Sequence, residues 1–484
     1  MTQPAASPSP SPVQALSAEA VAARNIRAFL WFRVLFNSRF YYPIFTILFL
    51  DFGLTIEQFA GLNALWAASI VIFEVPSGAL ADRLGRRRLV VLASWLMVIE
   101  MSLLCLMPIG GGWVWPLMAL NRVISGLAEA CCSGADEALV YDALPEAGKQ
   151  EAWTRVLARL MRWQSLTFMG VALVGAAVYS PDFMNRVLQA AGLGMHLSKE
   201  FCMRIPLVLN LLMALACVVS SLRFMDTHEH APNISGLNAL IRASYHQMLD
   251  AARSILRSPA AIVIILTGLL YDCFIRLYYS IGSNYYRLLG IDEQWNGLIL
   301  TVSSLIGLGT AFVVEKLLGT TTPSRNMGTV AILIFLGLTG VSLIIPGWAG
   351  VIFVVPLWLA MRSLHYFISQ YLNRVSSPST RATVLSFKGL TMNLAYGGVM
   401  LMYQLQTWVL RGTHREELSG LPKESVDTRL LAMAMPWWPA VFGVLALGLV
   451  IWVRMRFRSN LTGLLMDKSS RSGIHLEAGE LSSR

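Results

Sequence analysis

Charge is scarce in this chain. Asp, Glu, Lys and Arg together make up 14% of 484 residues, against 55% hydrophobic residues, whereas a soluble domain carries about 25% charged residues to keep its surface solvated. That shortage excludes most water-soluble folds and implies an exterior that faces lipid, as in an all-α polytopic membrane protein. Cysteine is also rare. Of the six, Cys105, Cys131, Cys132, Cys217 and Cys273 lie in apolar stretches and Cys202 is expected in a loop, so neither a disulfide framework nor a metal-ligand spacing follows. The one tight group of metal-type ligands, His228-Glu229-His230, falls in a polar stretch. No cofactor, no metal and no enzymatic activity are expected from it. A net charge of +10 would suit a nucleic-acid partner in a soluble protein, but here it needs only a basic face beside anionic lipid. No nucleic-acid partner is expected.

What the chain has in abundance is long apolar runs. A helix crossing the hydrocarbon layer needs roughly 20 such residues, and twelve runs fit: 28–50, 57–80, 89–107, 115–141, 162–179 and 205–222, then 259–282, 294–318, 327–345, 351–371, 383–410 and 430–453. The expected organisation is a disordered tail over 1–25, whose Pro- and Ser-rich start lacks the basic region of a cleaved signal. A six-helix bundle follows over 26–222, then a cytoplasmic linker over 223–258, a second six-helix bundle over 259–457 and a disordered tail over 458–484. The linker carries an amphipathic pattern, Leu237, Ile241, Tyr245 and Leu249, suited to the membrane surface. Most of the 38 Lys and Arg fall on one side when both termini are placed in the cytoplasm, as the positive-inside rule requires of a multi-pass plasma (inner) membrane protein.

Between the second and third runs the sequence reads Gly78-Ala79-Leu80-Ala81-Asp82-Arg83-Leu84-Gly85-Arg86-Arg87. Here the chain resembles the major facilitator superfamily, whose loop between helices 2 and 3 carries G-x-L-A-D-R-x-G-R-R. Arg122 and Gly126 fit the R-x-x-x-G core of that superfamily's helix 4 motif. Physically, Gly78 and Gly85 permit tight turns and close helix approach, and Asp82 can accept unpaired amides at a helix N-terminus. The resemblance implies a fold of two six-helix bundles and a cytoplasmic gate latch in which the arginines pair with an acid ending helix 4. Asp142 is the best-placed acid, with Asp136 and Glu137 behind it. The matching loop after the eighth run, Gly309 to Lys316, is a poor copy with one basic residue. The fifth run lacks the Gly-Pro element of many drug/proton antiporters.

Charged residues inside spans cost about 2.5–3.5 kcal/mol each at mid-bilayer on insertion scales, so they normally find partners and face a cavity. Six acids (Glu74, Glu100, Glu129, Asp136, Glu137, Asp272) stand against six bases (Arg33, Arg39, Arg122, Arg276, Arg362, Lys388), with His365 nearby. Depth along antiparallel helices predicts three pairs: Arg33 with Glu74, Arg39 with Glu129, and Asp272 with Arg362. At about 100° per residue, Arg122, Gly126, Glu129, Ser133 and Asp136 form one polar stripe that should line water, and Gly126, Ala130 and Gly134 lie beside it at the spacing of a close helix contact. Glu100, on a helix the resemblance makes peripheral, has no evident partner.

The superfamily's helices 1, 4, 7 and 10 line its central cavity, so the resemblance places Arg39, Glu129, Asp272 and Arg362 around one passage. With no G-x-x-x-x-G-K-[ST] phosphate loop in the chain, an ion gradient is the expected energy source. The resulting expectation is a monomeric secondary transporter that moves a small organic solute, anionic or zwitterionic, coupled to protons or another ion. A transporter-like sensor or lipid-handling protein, which binds without carrying a soluble substrate, is the alternative of a different class.

Overall fold

A computed structural model describes residues 17–148, 151–226, isolated helical positions between 242 and 255, 258–375 and 381–466. Leu237 and Ile241 of the linker pattern, the His228–His230 group and the tail beyond 466 lie outside the described residues, while Tyr245 and Leu249 are helical and exposed. All described elements are helical. In the first half they are α1 (Ala18–Asn37), α2 (Phe45–Asp51), α3 (Ile56–Leu84), α4 (Arg86–Cys105), α5 (Val114–Cys132), α6 (Ala135–Tyr141), α7 (Ala143–Glu146), α8 (Ala152–Tyr179), α9 (Pro181–Ala190) and α10 (Lys199–Ser221). The second half runs through α11 (Pro259–Leu288), α12 (Asn296–Thr320), α13 (Pro323–Ser342), α14 (Trp348–Ile352), α15 (Val355–Val375), α16 (Arg381–Thr413), α17 (Arg415–Leu418), α18 (Lys423–Ala434), α19 (Trp437–Phe457) and α20 (Leu461–Met466).

Every expected apolar run is occupied by a helix or an interrupted pair. Eight segments among the described residues are long and apolar enough to cross a bilayer unaided, and α8 with α9 would make a ninth but for an 87° bend. The boundaries differ from expectation at both ends. Helix α1 already begins at Ala18, because Ser17 caps it by accepting from the Ala20 amide, and α20 forms within the stretch expected to be disordered. Cys202, expected in a loop, is buried inside α10.

Two interruptions shape the interior. The first run breaks after Asn37, where the Ser38 hydroxyl donates to the Val34 carbonyl and Tyr42–Ile44 form a 3-10 turn around Pro43. Proline lacks an amide hydrogen and crowds the preceding turn, so an unbroken helix cannot pass. The amides freed by the break find partners elsewhere: Phe40 donates to Asn210 Oδ1 at 2.8 Å, and Thr46 and Ile47 donate to Ser283 Oγ at 3.0 and 3.2 Å. The second interruption lies at Gly134, whose φ of +76° ends α5 and starts α6. Gly85, at φ +94°, makes the tight turn from α3 into α4.

The halves meet along α3 against α16 and α8 against α12, with α2 against α11 between them. A methyl group at Gly297 would overlap the Ala172 carbonyl, so α12 approaches α8 closely enough to exclude a side chain there. Gly78 has open space where its side chain would be, and the close approach expected there occurs instead at Gly126, where a Cβ would lie 2.6 Å from that of Ser69.

Candidate functional site

Between the halves lies a central cavity of about 400 Å3, lined from the first half by Arg39, Trp66, Arg122 and Glu129 and from the second by Arg276, Tyr279, Arg362 and Tyr396. It shares Tyr42, Phe168, Ser304 and Arg362 with a second cavity of about 580 Å3 that extends toward the face carrying the chain ends, past Val34, Met161, Val314 and Tyr366. Arg39, Glu129 and Arg362 therefore face one space, as expected of them. Asp272 stands behind it, paired with Arg276 of the wall.

The partners differ from those that depth arithmetic gives. Arg33 pairs with Asp136, the Nη2 to Oδ1 bond being 2.9 Å, and reaches Glu137 at 3.4 Å; it does not pair with Glu74. The break at Gly134 is the reason, because it turns Asp136 out of the α5 stripe and toward α1. Arg39 pairs with Glu100 at 3.5 Å rather than with Glu129. Unwinding after Asn37 removes Arg39 from the helical register used to place it, so its guanidinium points at α4. Glu100 also holds Arg122 at 3.6 Å, while Arg122 donates to Asn121 Oδ1 at 2.6 and 3.0 Å. Glu100 is thus the shared anion of two buried guanidinium groups. Sequence depth could not supply this, since Arg39 belongs to no regular helix.

In the second half Asp272 pairs with Arg276 one turn along α11, at 3.6 Å, and with His365 Nε2 of α15 at 3.1 Å; it does not pair with Arg362. Spacing on one helix decided this. An i, i+4 partner is reachable without crossing the interface. Arg276 is further fixed by Asn393 Oδ1 at 3.2 Å and by the Tyr396 ring, whose centroid lies 4.1 Å from its guanidinium carbon. Arg362 is exposed toward the cavity and forms no ion pair among the described residues; its side chain instead packs against Gly307.

At the face carrying the chain ends, Arg86 of the Gly78–Arg87 motif pairs with Asp142. Arg87 donates to the Leu222 carbonyl at 3.2 Å, and its amide donates to Asp226 Oδ1. Arg83 is exposed, and the side chain of Asp82 lies outside the described residues.

Two ion-pair networks seal the opposite face, and neither is among the pairs that depth along the helices predicts. Asp51 accepts from Arg287 at 2.9 and 3.0 Å, lies 3.4 Å from Lys199 and accepts from the Tyr179 hydroxyl, while Glu293 binds Arg287 at 2.7 Å and Lys199 at 2.6 Å. Arg411 reaches Glu57 at 2.6 Å and Asp427 at 3.2 Å, and Asp427 Oδ1 accepts from the Ile56 amide. Each network contains residues of both halves. Their signal in the sequence was charge at span ends, which depth arithmetic on span interiors ignores. Among the described residues, every ion pair joining the halves lies on this face.

With this geometry in view, the chain can be set beside known proteins. The family model of the Major Facilitator Superfamily matches residues 28–400. No curated protein sequence matches the chain. Among solved structures, a bacterial homolog to the human lysosomal transporter Spinster, inward-facing and unoccupied, superposes with TM-score 0.67 at 15% identity, covering 92% of this chain and 98% of that one. A mutant form of the nucleoside transporter NupG gives TM-score 0.65 at 13% identity over 89% of this chain and 99% of that one. A D-xylose-proton symporter gives 0.53 at 13% identity, with coverages of 86% and 95%. At such identities the likeness is one of fold alone, but the family model spans most of the chain, which belongs to the Major Facilitator Superfamily.

Proposed function

We propose that the protein is a proton-coupled secondary transporter that carries a small organic solute across the plasma (inner) membrane as a monomer, with both termini cytoplasmic. The observation that carries this reading is a charged cavity lined by both halves, sealed by cross-half ion pairs on one face and extended toward the other. A site reached from one side only, between two bodies that can rock, is what alternating access requires. With the chain ends in the cytoplasm, this is an inward-open arrangement. The Arg86–Asp142 pair then acts as a latch that holds α4 to the segment after α6.

Glu129 is the proposed proton carrier. It lines the cavity and forms no ion pair among the described residues, yet it lies within electrostatic reach of Arg33 and Arg39 from the first span, Glu100 from α4 and Glu74 from α3. A proton on Glu129 removes a negative charge facing these groups, and only a state-dependent difference of that kind can shift the balance between conformations.

The test begins with small molecules whose cellular content differs between cells with and without the protein, followed by their flux into proteoliposomes under an imposed pH gradient. Accumulation driven by the gradient is expected for at least one of them. Binding of such a molecule without flux by the intact protein overturns transport in favour of the sensor reading.

A further inference from the structure

The charge around the central cavity is unbalanced. Four guanidinium groups (Arg39, Arg122, Arg276, Arg362) stand against three carboxylates, Glu129 on the wall and Glu100 and Asp272 behind it. One positive charge is left over when all three acids are ionised, and two when Glu129 holds a proton. Beyond these, Lys388 of α16, close enough to Asp272 to feel its charge, and Glu74 of α3, close enough to Glu129 to feel that of Glu129, offset one another and leave the excess unchanged. In a low-dielectric interior an uncompensated cation is costly, so the vacancy is one that an anion fills favourably.

The excess is also localised. Arg39 and Arg122 are buried and drawn back onto Glu100, which is fully buried. Arg276 is held by Asp272, Asn393 and the Tyr396 ring, a fixed donor whose ordering cost is met before any ligand arrives. Arg362 projects into both cavities and forms no ion pair among the described residues. Beside these donors stand flat rings, Trp66 edge-on to Tyr396 at 6.3 Å between centroids, with Tyr279 adjacent. A volume of about 400 Å3 falls at the small end of ligand sites.

We infer that the cavity selects organic anions, carboxylates with a flat apolar body, whose charge is received by Arg362 and Arg276 while the body lies against Trp66 and Tyr396. This deepens the transport reading and rests on the central cavity being its solute site. Arginine suits the task because its planar fork donates two parallel hydrogen bonds to one carboxylate.

The test uses acid and amine pairs that share one aromatic body: 4-hydroxyphenylacetate with tyramine, indole-3-acetate with tryptamine, and 3-phenylpropanoate with 3-phenylpropylamine. Each is added to the purified full-length protein in detergent, and the shift in melting temperature is followed. At least one acid is expected to raise the melting temperature in a saturable way, and no amine. Arg362→Gln should weaken that acid's apparent affinity at least tenfold, with Arg362→Lys restoring part of it. Because Arg362 leaves no described carboxylate stranded, the unliganded variant should melt as the wild type does; Arg276→Gln provides the second reading. Stabilisation by an amine, by none of the acids, or equally in Arg362→Gln overturns the proposal. Acids that bind by these criteria but do not cross proteoliposome bilayers leave the anion class standing and overturn transport instead. Flux of amines alone does the reverse.

Discussion

The two halves solve the same problem, a carboxylate among guanidinium groups within the membrane, in different ways. In the first half Glu100 is fully buried and joins two arginines that are themselves 4–6% exposed as side chains. In the second, Asp272 is 3% exposed, but its partners are more open, Arg276 of the cavity wall at 21% and His365 at 50%. A buried pair cannot exchange partners without stranding a charge, whereas a pair at the cavity wall can give its cation to a ligand or to water at small cost. The first cluster therefore reads as a fastening among the first span, α4 and α5, and the second as a working surface.

The largest effect should come from breaking the fastening. Glu100→Gln leaves two guanidinium groups without their anion, and losing one partner of a buried pair costs about 3–5 kcal/mol. Heat-induced unfolding in detergent should shift down sharply, or folded protein should fail to accumulate. A wild-type melting temperature would dissolve the distinction between the halves.

Glu129→Gln sharpens it from the functional side, since this acid faces the cavity from the first half without an ion pair among the described residues. Flux driven by an imposed pH gradient should fall to background while the melting temperature holds. Unchanged pH dependence removes Glu129 from coupling.

Next in size is the sealed face. Arg287→Gln leaves Asp51 and Glu293 without the guanidinium that joins them across the halves. The outward-open population should rise, read as several-fold faster labelling of a Ser283→Cys reporter by a membrane-impermeant maleimide from the face opposite the chain ends. Equal labelling rates would mean that the network does not hold that face shut.

The smallest effect is expected in the second cluster. His365→Gln removes a half-exposed partner of Asp272, and exposed pairs contribute about 0–1 kcal/mol. The melting temperature should barely move. A drop as large as that of Glu100→Gln would show the clusters to be equivalent.

Much of the architecture was legible because lipid leaves few choices. Apolar runs of spanning length must be helices, and the Gly78–Arg87 motif marks where α3 turns into α4. Of the four mid-depth charges expected around one passage, Arg39, Glu129 and Arg362 line the central cavity and Asp272 stands behind it. The pairings were not legible. Arg39 and Asp136 both sit beyond a break in a helix, at Ser38 and Gly134, and past a break the 100° rule no longer says where a side chain points. Asp51, Glu57, Arg287 and Arg411 were invisible for another reason. Charge at a span end is ordinary in sequence, and only the packing of α2 on α11 and α3 on α16 makes it a seal.

The sequence by itself determined that this chain is a bundle of membrane helices in two halves with ionisable groups between them, because hydrophobic length and charge scarcity are properties of composition. The tertiary structure alone decided which acid holds which base and which face is shut. Those depend on two helix breaks and on side chains brought together from segments up to 354 positions apart, such as Glu57 and Arg411. A Coulombic contact is set by distance in space, and beyond the one-turn pair of Asp272 and Arg276 no local pattern along the chain encodes these contacts.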